Sequence, residues 1–280
     1  MNSEVIKEFY VLNGELITAD NLTIFEKITK PPIYEVIRVI DGVPIHLEDH
    51  LDRMYLSAEI INHKIEFSEV EIRESIKKVI LENHIDRLNI KLLSADAEGI
   101  GNVFLVYCVE SFYPPNEYYK NGIATILYNY ERDNPNAKVL VSSFKEDVAK
   151  AMKDKGAFEA LLVRKDGYIP EGSRSNIFFV KEDRLYTAPK EEILLGITRK
   201  HVFRIAEMLN IKIVEESIHV DDIAKLDGAF MTGTSVNILP ISKIDSMELE
   251  SVDNSVITEL NKMYNKLTVE YIYNNKDLWK

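Results

Sequence analysis

The stretch "SFYPPNEYYKNG", Ser111 to Gly122, constrains this chain more than any other. Two adjacent prolines and a closing glycine among polar residues cannot continue a helix or sit inside a sheet, so they divide the chain into two parts. Before the break, "FYVLNGELIT" and "IYEVIRVIDGVPIHL" are apolar runs folded about Asn13-Gly14 and Asp41-Gly42, the dipeptides that suit tight hairpin turns. "LEDHLDRMYLSAEII" then changes to helical period, with Leu51, Met54, Tyr55 and Ile60 or Ile61 on one face. A second helix is predicted to open at Ser68, with Glu71 completing a capping box, and the strands "RLNIKLLSA" and "NVFLVYCVE" come next. After the break come the strand "IATILYNY", the helix "KEDVAKAMKDKGA", and strands at "EALLV", "GYIPE", "NIFFV" and "RLYTA". The helix "GITRKHVFRIAEMLN", the strand "IKIVEES", the short helix "VDDIAKL", the strand "GAFMTGT" and the helix "SVITELNKMYNKL" complete the series. The 280 residues are enough for two domains. The expectation is two α+β domains with mixed sheets and flanking helices: 1–112, a linker over 113–121, and 122–280.

Composition narrows the function. A net charge of −12 argues against a nucleic-acid binder and against docking on an anionic membrane, while leaving room for a local basic pocket. The single cysteine, Cys108, lies in an apolar strand and reads as a small buried hydrophobe. No leader-like segment opens the sequence and no apolar run reaches membrane-spanning length, so the expected location is cytoplasmic. "HLEDH", His46 to His50, lacks the zinc-binding spacing and reads as a helix start; no metal site is expected.

Several residues have chemistry to offer, each beside a plainer reading. Gly196, Ile197 and Thr198 open a helix whose free N–H groups and dipole suit an anion, although Thr198 could simply be a cap. Gly233-Thr234 is a second glycine-threonine turn, or an ordinary β-turn. Arg53 lies on the first long helix with Asp49 four residues before it as an available partner. Lys138 stands in an apolar context where a desolvated amine would become nucleophilic, although most lysines are solvated. Glu171 lies between runs that look buried, and a buried carboxylate needs a cation or donors.

Taken in order, Lys138, "EALLVRKDGYIPEGSRSNIFFVKEDRLYTAP", "LLGITR" and "FMTGTSVNILP" resemble the fold type IV pyridoxal-phosphate enzymes. That group holds the branched-chain and D-amino acid aminotransferases and the aminodeoxychorismate lyases. "YEVIRV" and "HLDRMYLSAEII" match its N-terminal domain, and the likeness runs from Glu8 to about Ile244. The resemblance implies a D-amino acid aminotransferase-like fold, a pyridoxal 5'-phosphate cofactor and a homodimer. It makes Lys138, 21 residues before the glutamate of "EALL", the Schiff-base lysine, and Glu171 the partner of the pyridine nitrogen. Arg53, Gly196, Ile197, Thr198 and Thr234 fall at phosphate-binding positions, and Tyr34, Arg38 and Ser235 at substrate-facing ones.

The resemblance also implies a reaction, the movement of an amino group between an amino acid and 2-oxoglutarate. Substrate choice is less plain. D-amino acid enzymes carry Arg-x-His in the loop where this chain has "SADAEGIG", and the loop arginine of the lyases is absent too. Branched-chain enzymes carry tyrosine-isoleucine-arginine where this chain has Asn89, Ile90 and Lys91; "YEVIR" departs from their pattern at Val36, and Ser143 stands where they place a tyrosine. A branched-chain aminotransferase is the preferred reading, with a D-amino acid aminotransferase and an aminodeoxychorismate lyase as alternatives. Arg174 replaces a small residue facing the substrate, which predicts that its guanidinium takes a substrate carboxylate.

Overall fold

A computed structural model of the chain describes residues 4–131, 136, 138 and 142–280, with backbone alone at 142, 143 and 145. The Ser143 side chain, and the apolar neighbours of Lys138 at 139–141, therefore lie outside the described residues. Contacts divide the chain into two units. The first takes in the chain to Phe112, Lys138 and Thr268–Lys280; the second takes in Tyr113 to Leu267 apart from the piece around Lys138.

The first unit is built on one sheet. β1 (Phe9–Leu12) and β2 (Glu15–Thr18) turn at Asn13-Gly14, both at positive φ, as a two-residue hairpin loop requires. β3 (Ile33–Ile40) and β4 (Val43–Pro44) repeat this about Asp41-Gly42. Helices α1 (Leu47–Ile60) and α2 (Glu69–Glu82) precede the long strands β5 (Arg87–Ala97) and β6 (Gly101–Val109). The sheet order is β2-β1-β6-β5-β3-β4 and every pairing is antiparallel. The helix α2 carries the expected capping box: Ser68 N–H donates to Glu71 Oε2 at 2.8 Å and Glu71 N–H to Ser68 Oγ at 3.4 Å.

Strand alternation sorts this sheet into two faces. Ile33, Ile37, Val39, Ile90, Leu92, Phe104 and Val106 pack with Leu47, Leu51 and Met54 of α1 and with Ile72, Ile76 and Val79 of α2. Tyr10, Phe25, Leu93, Leu105 and Tyr107 form a separate cluster. The buried stripe of α1 runs through Leu47, Leu51, Met54 and Ala58, and the helix ends at Ile60. Ile60 and Ile61, expected on that face, are exposed, because the next inward position would fall beyond the last turn.

The second unit opens with α3 (Asn116–Asn121), a short helix within the segment expected as linker. β7 (Ile123–Asn129), α4 (Ser142–Asp154), β8 (Glu159–Val163), β9 (Tyr168–Ile169), β10 (Asn176–Lys181) and β11 (Arg184–Thr187) follow. Then come α5 (Ile197–Met208), β12 (Ile213–Glu215), β13 (Ile218–His219), β14 (Gly228–Gly233), β15 (Asn237–Ile244), β16 (Met247–Glu248) and α6 (Ser255–Asn275). The main sheet, β12-β11-β10-β14-β15-β7-β8, is mixed: β12–β11, β15–β7 and β7–β8 are parallel and the rest antiparallel. Phe178, Val180, Phe230 and Ile238 meet α5 and α6 in one core; Ile177, Phe179, Met231 and Leu239 point into another. The last turns of α6 and the residues after it, from Thr268, group with the first unit, where Tyr271, Ile272 and Trp279 join the α1–α2 core. The sequence placed this tail in the second domain.

Candidate active site

Within the first unit, alternation along β3 puts Glu35 in the buried row with Ile33, Ile37 and Val39. A carboxylate there must be paired. Arg53 and His50, three residues apart on the inward side of α1, meet it: Arg53 Nε donates to Oε1 at 2.7 Å, Arg53 Nη2 to Oε2 at 2.6 Å, and His50 Nδ1 lies 2.7 Å from Oε2. Glu35, which the sequence did not single out, holds both ends of the Arg53 guanidinium edge. Burial would raise the Glu35 pKa, but Arg53 and the His50 hydrogen bond outweigh it and hold the carboxyl well below its usual range. Burial lowers the His50 pKa, and its bond to Glu35 offsets this only in part.

Tyr34 and Arg38 fall in the other row of β3, both half-buried. The Lys138 backbone is tied to this strand and to α1: Tyr34 N–H donates to the Lys138 carbonyl at 3.3 Å, and Lys138 N–H donates to Ser57 Oγ at 3.3 Å. Lys138 Nζ stands 5.0 Å from the Tyr34 ring centroid, and Lys91 Nζ stands 4.9 Å from the same centroid. The register pairs Val36 with Lys91 and Lys91 with Tyr107, so Lys91 sits mid-sheet, almost fully buried, with its ammonium paired to the Glu4 carboxylate.

In the second unit, the segment after β9 runs antiparallel along the edge of β8. Leu162 N–H donates to the Glu171 carbonyl at 2.9 Å and Ser173 N–H to the Ala160 carbonyl at 2.8 Å. This edge pairing carries Glu171 to 3% exposure. Its Oε2 accepts from Leu194 N–H at 3.3 Å, while Asn176 Nδ2 donates to the Leu194 carbonyl at 2.8 Å. Leu194 lies just before α5, whose N-cap is Gly196. That helix start has no side-chain cap, and its first backbone bond in the ladder is Lys200 N–H to the Gly196 carbonyl at 3.0 Å. The N–H groups of Ile197 and Thr198 fall in the first turn, where an α-helix offers them no carbonyl. A Cβ at Gly196 would stand 2.0 Å from Asn176 Oδ1, so the close approach demands glycine. Gly233, Thr234 and Ser235 form the turn between β14 and β15, closed by Val236 N–H to the Gly233 carbonyl at 3.2 Å. Because Asn176 pairs with Thr232, that turn and the Glu171 turn share one end of the sheet.

Arg174, expected to take a substrate carboxylate, lies at the surface of the second unit. Its side chain is 59% exposed, its Nη2 donates to the Phe158 carbonyl at 2.9 Å, and its guanidinium lies over the Phe158 ring. Cys108 is buried and its thiol is pushed up to about 12, so no nucleophile is on offer there.

The structure thus groups Lys138, Tyr34 and Arg53 in the first unit, and Glu171, Gly196, Ile197 and Thr198 in the second. Sequence reasoning passed over Glu35 and Lys91 as site residues. In sequence each row of β3 carries one charge, Glu35 or Arg38, and only the observed burial shows that Glu35 is the inward one; the burial of Lys91 follows from the sheet order, which no local pattern gives.

An antiparallel α+β unit holding Lys138 beside Tyr34, and a mixed-sheet unit holding the buried Glu171 carboxylate ahead of an uncapped helix, are the frame in which the comparisons place an aminotransferase. Residues 32–244 match the family described as amino-transferase class IV, and the chain belongs to that family. It is 29% identical to the branched-chain-amino-acid aminotransferase of Pseudomonas aeruginosa over 252 residues, 83% of this chain and 82% of that one. It is 27% identical to the D-alanine aminotransferase of Bacillus licheniformis over 230 residues, 78% of this chain and 81% of that one. The crystal structure of the T.th. branched-chain amino acid aminotransferase with pyridoxamine 5'-phosphate superposes with a TM-score of 0.84, at 25% identity, covering 96% of this chain and 97% of that one.

Proposed function

We propose that this class IV aminotransferase uses pyridoxal 5'-phosphate and moves an amino group between a branched-chain L-amino acid and 2-oxoglutarate. The observation that carries the reading is Glu171: a buried carboxylate held on the same residue, Leu194, that leads into an uncapped helix start. The donor set fits the cofactor. Ile197 and Thr198 offer N–H groups to a phosphate, Thr234 a hydroxyl, and Arg53 a guanidinium already oriented by Glu35. Glu171 supplies the negative charge that favours a protonated ring nitrogen.

When bound, the cofactor supplies an electron sink for negative charge developing at the amino acid Cα. The chain supplies the rest. Lys138 Nζ would take the proton from the amino acid Cα and deliver it to C4′, the cofactor carbon that receives the nitrogen, with the Tyr34 ring beside the amine. Arg38 of β3 and Lys91 of β5 are cations that this sheet offers to a carboxylate, and Lys91 already donates to the carboxylate of Glu4. Ser235 offers a hydroxyl at the turn end of the second sheet.

Two observations support the branched-chain reading over the D-amino acid one. Curated relatives and solved neighbours carry that name. The link between β5 and β6 is a three-residue turn, Glu98-Gly99-Ile100, closed by Ile100 N–H to the Ala97 carbonyl at 3.1 Å. It holds no arginine or histidine with which to trap a carboxylate. We further propose a cytoplasmic homodimer, for which the exposed Leu56, Ile60 and Ile61 of the first unit provide apolar surface; no helix among the described residues is long and apolar enough to cross a membrane.

The test is a half-reaction panel. The reconstituted protein is mixed with L-valine, L-leucine, D-alanine or D-glutamate, and conversion of the cofactor to its amine form is followed by absorbance. Conversion by L-leucine and L-valine is expected. Conversion by the D-amino acids alone would replace this reading with the D-amino acid one.

A further inference from the structure

Glu159 opens β8 and is fully buried, yet it has no place in the chemistry of Lys138 and Glu171. Its carboxylate is filled with donors. Oε1 accepts from Ala160 N–H at 2.8 Å, Ser173 N–H at 3.2 Å and Ser173 Oγ at 2.5 Å; Oε2 accepts from Ser175 Oγ at 2.9 Å. Three of these four donors belong to the turn that follows Glu171. Arg174, between the two serines, brings its Nε to 3.7 Å from Oε2 and supplies a counter-charge from the solvent side. The packing leaves no slack: a Cβ at Gly172 would stand 2.2 Å from Ser175 Oγ and 3.2 Å from Glu159 Cδ. Past the turn, Asn176 holds the Leu194 carbonyl and Glu171 holds the Leu194 N–H.

We infer that Glu159 is a positioning residue for the cofactor: it staples residues 171–176 to β8 and so fixes both the Glu171 carboxylate and, through Leu194, the start of α5. A carboxylate is suited to this because it only accepts, and every group around it donates. A turn of small residues, free to move on its own, is thereby made rigid at the two points where a charged ligand would be gripped. The placement also gives Arg174 a partner inside the protein. The inference rests on the proposed use of pyridoxal phosphate, and the experiment separates the two.

Glu159→Gln and Glu159→Ala are made in the full chain, with Ser173→Ala/Ser175→Ala as a second route that removes two donors and leaves the carboxylate. Three readouts are taken: amide hydrogen exchange of the apoprotein across 171–176 and at Leu194, the Kd of the apoprotein for pyridoxal phosphate, and kcat against KM. Faster exchange at Ser173 and Leu194 is expected, with affinity for the cofactor and kcat each down roughly 10- to 100-fold, the span seen when outer supports of a site are removed. The KM for the amino donor should stay within about threefold, because no substrate contact is removed. Should Glu159→Ala fail to fold, the serine pair decides by the same readouts. A loss of melting temperature with unchanged exchange at Leu194, unchanged cofactor affinity and unchanged kcat overturns the inference. If the unaltered protein binds no pyridoxal phosphate, the functional reading fails, and the exchange data still decide whether Glu159 fixes the turn and Leu194.

Discussion

Arg53 Nη2 donates to Glu35 Oε2 at 2.6 Å, and both side chains are buried. The pair joins β3 to α1 and sets the pose of the guanidinium proposed to meet a phosphate. Glu35→Gln keeps the shape but leaves a buried guanidinium facing a neutral amide. Breaking a buried pair from one side costs about 3–5 kcal/mol, so chemical denaturation should show a loss of that size.

His50, beside that pair, predicts how stability responds to acid. Its pKa is lowered in the folded chain, chiefly by burial, so below about pH 6.5 the unfolded state binds a proton that the folded state resists. Stability should be complete above that pH and decline as pH falls from about 6.5 toward the lowered folded value. The Glu35 carboxyl adds a second decline from about pH 4.3 downward, because its folded pKa is depressed. Denaturation midpoints measured between pH 7 and pH 5, in the parent and in His50→Gln, should show a shallower slope in the variant; equal slopes would assign the acid response to other groups.

Gly196→Ala tests the approach of the helix start to Asn176. The added methyl meets Asn176 Oδ1 at 2.0 Å, so the amide must turn aside and release the Leu194 carbonyl. Overpacking of this kind costs about 1–3 kcal/mol. The Kd for pyridoxal phosphate should rise, since the N–H groups of Ile197 and Thr198 move with the helix start; titration of the apoprotein measures it.

Arg174 and Lys91 offer competing accounts of how a substrate carboxylate is held. The sequence favoured Arg174, which the structure places against Phe158 and Glu159 on the surface; Lys91 is buried beside Tyr34. Arg174→Ala should change the KM for 2-oxoglutarate by less than about threefold, and Lys91→Met should raise it by about tenfold or more, the cost of losing a charge-assisted contact. The reverse order would restore Arg174 to the substrate.

These cases show what could be read from the sequence. The two hairpins, the Ser68 capping box and the α5 start rest on local rules of turn and cap chemistry, which neighbouring residues fully specify. The buried seat of Glu171 was also legible, from apolar runs on either side. The end of the α1 stripe was not, because Ile60 and Ile61 obey the helical period and the helix stops before burying them. Nor was the seat of the tail from Thr268, which depends on what its apolar side meets. Glu159 and Lys91 escaped for a related reason: each is a charge whose pairing depends on distant residues, Ser173 at 14 positions and Glu4 at 87.

The chemistry turns on Lys138 being the amine that carries the cofactor. The direct measurement is borohydride reduction of the protein loaded with pyridoxal phosphate, followed by peptide mapping by mass spectrometry. A single phosphopyridoxyl adduct is expected, on Lys138, and none in Lys138→Ala. An adduct on any other lysine of the native chain, or no adduct under conditions that load the protein, would overturn that assignment.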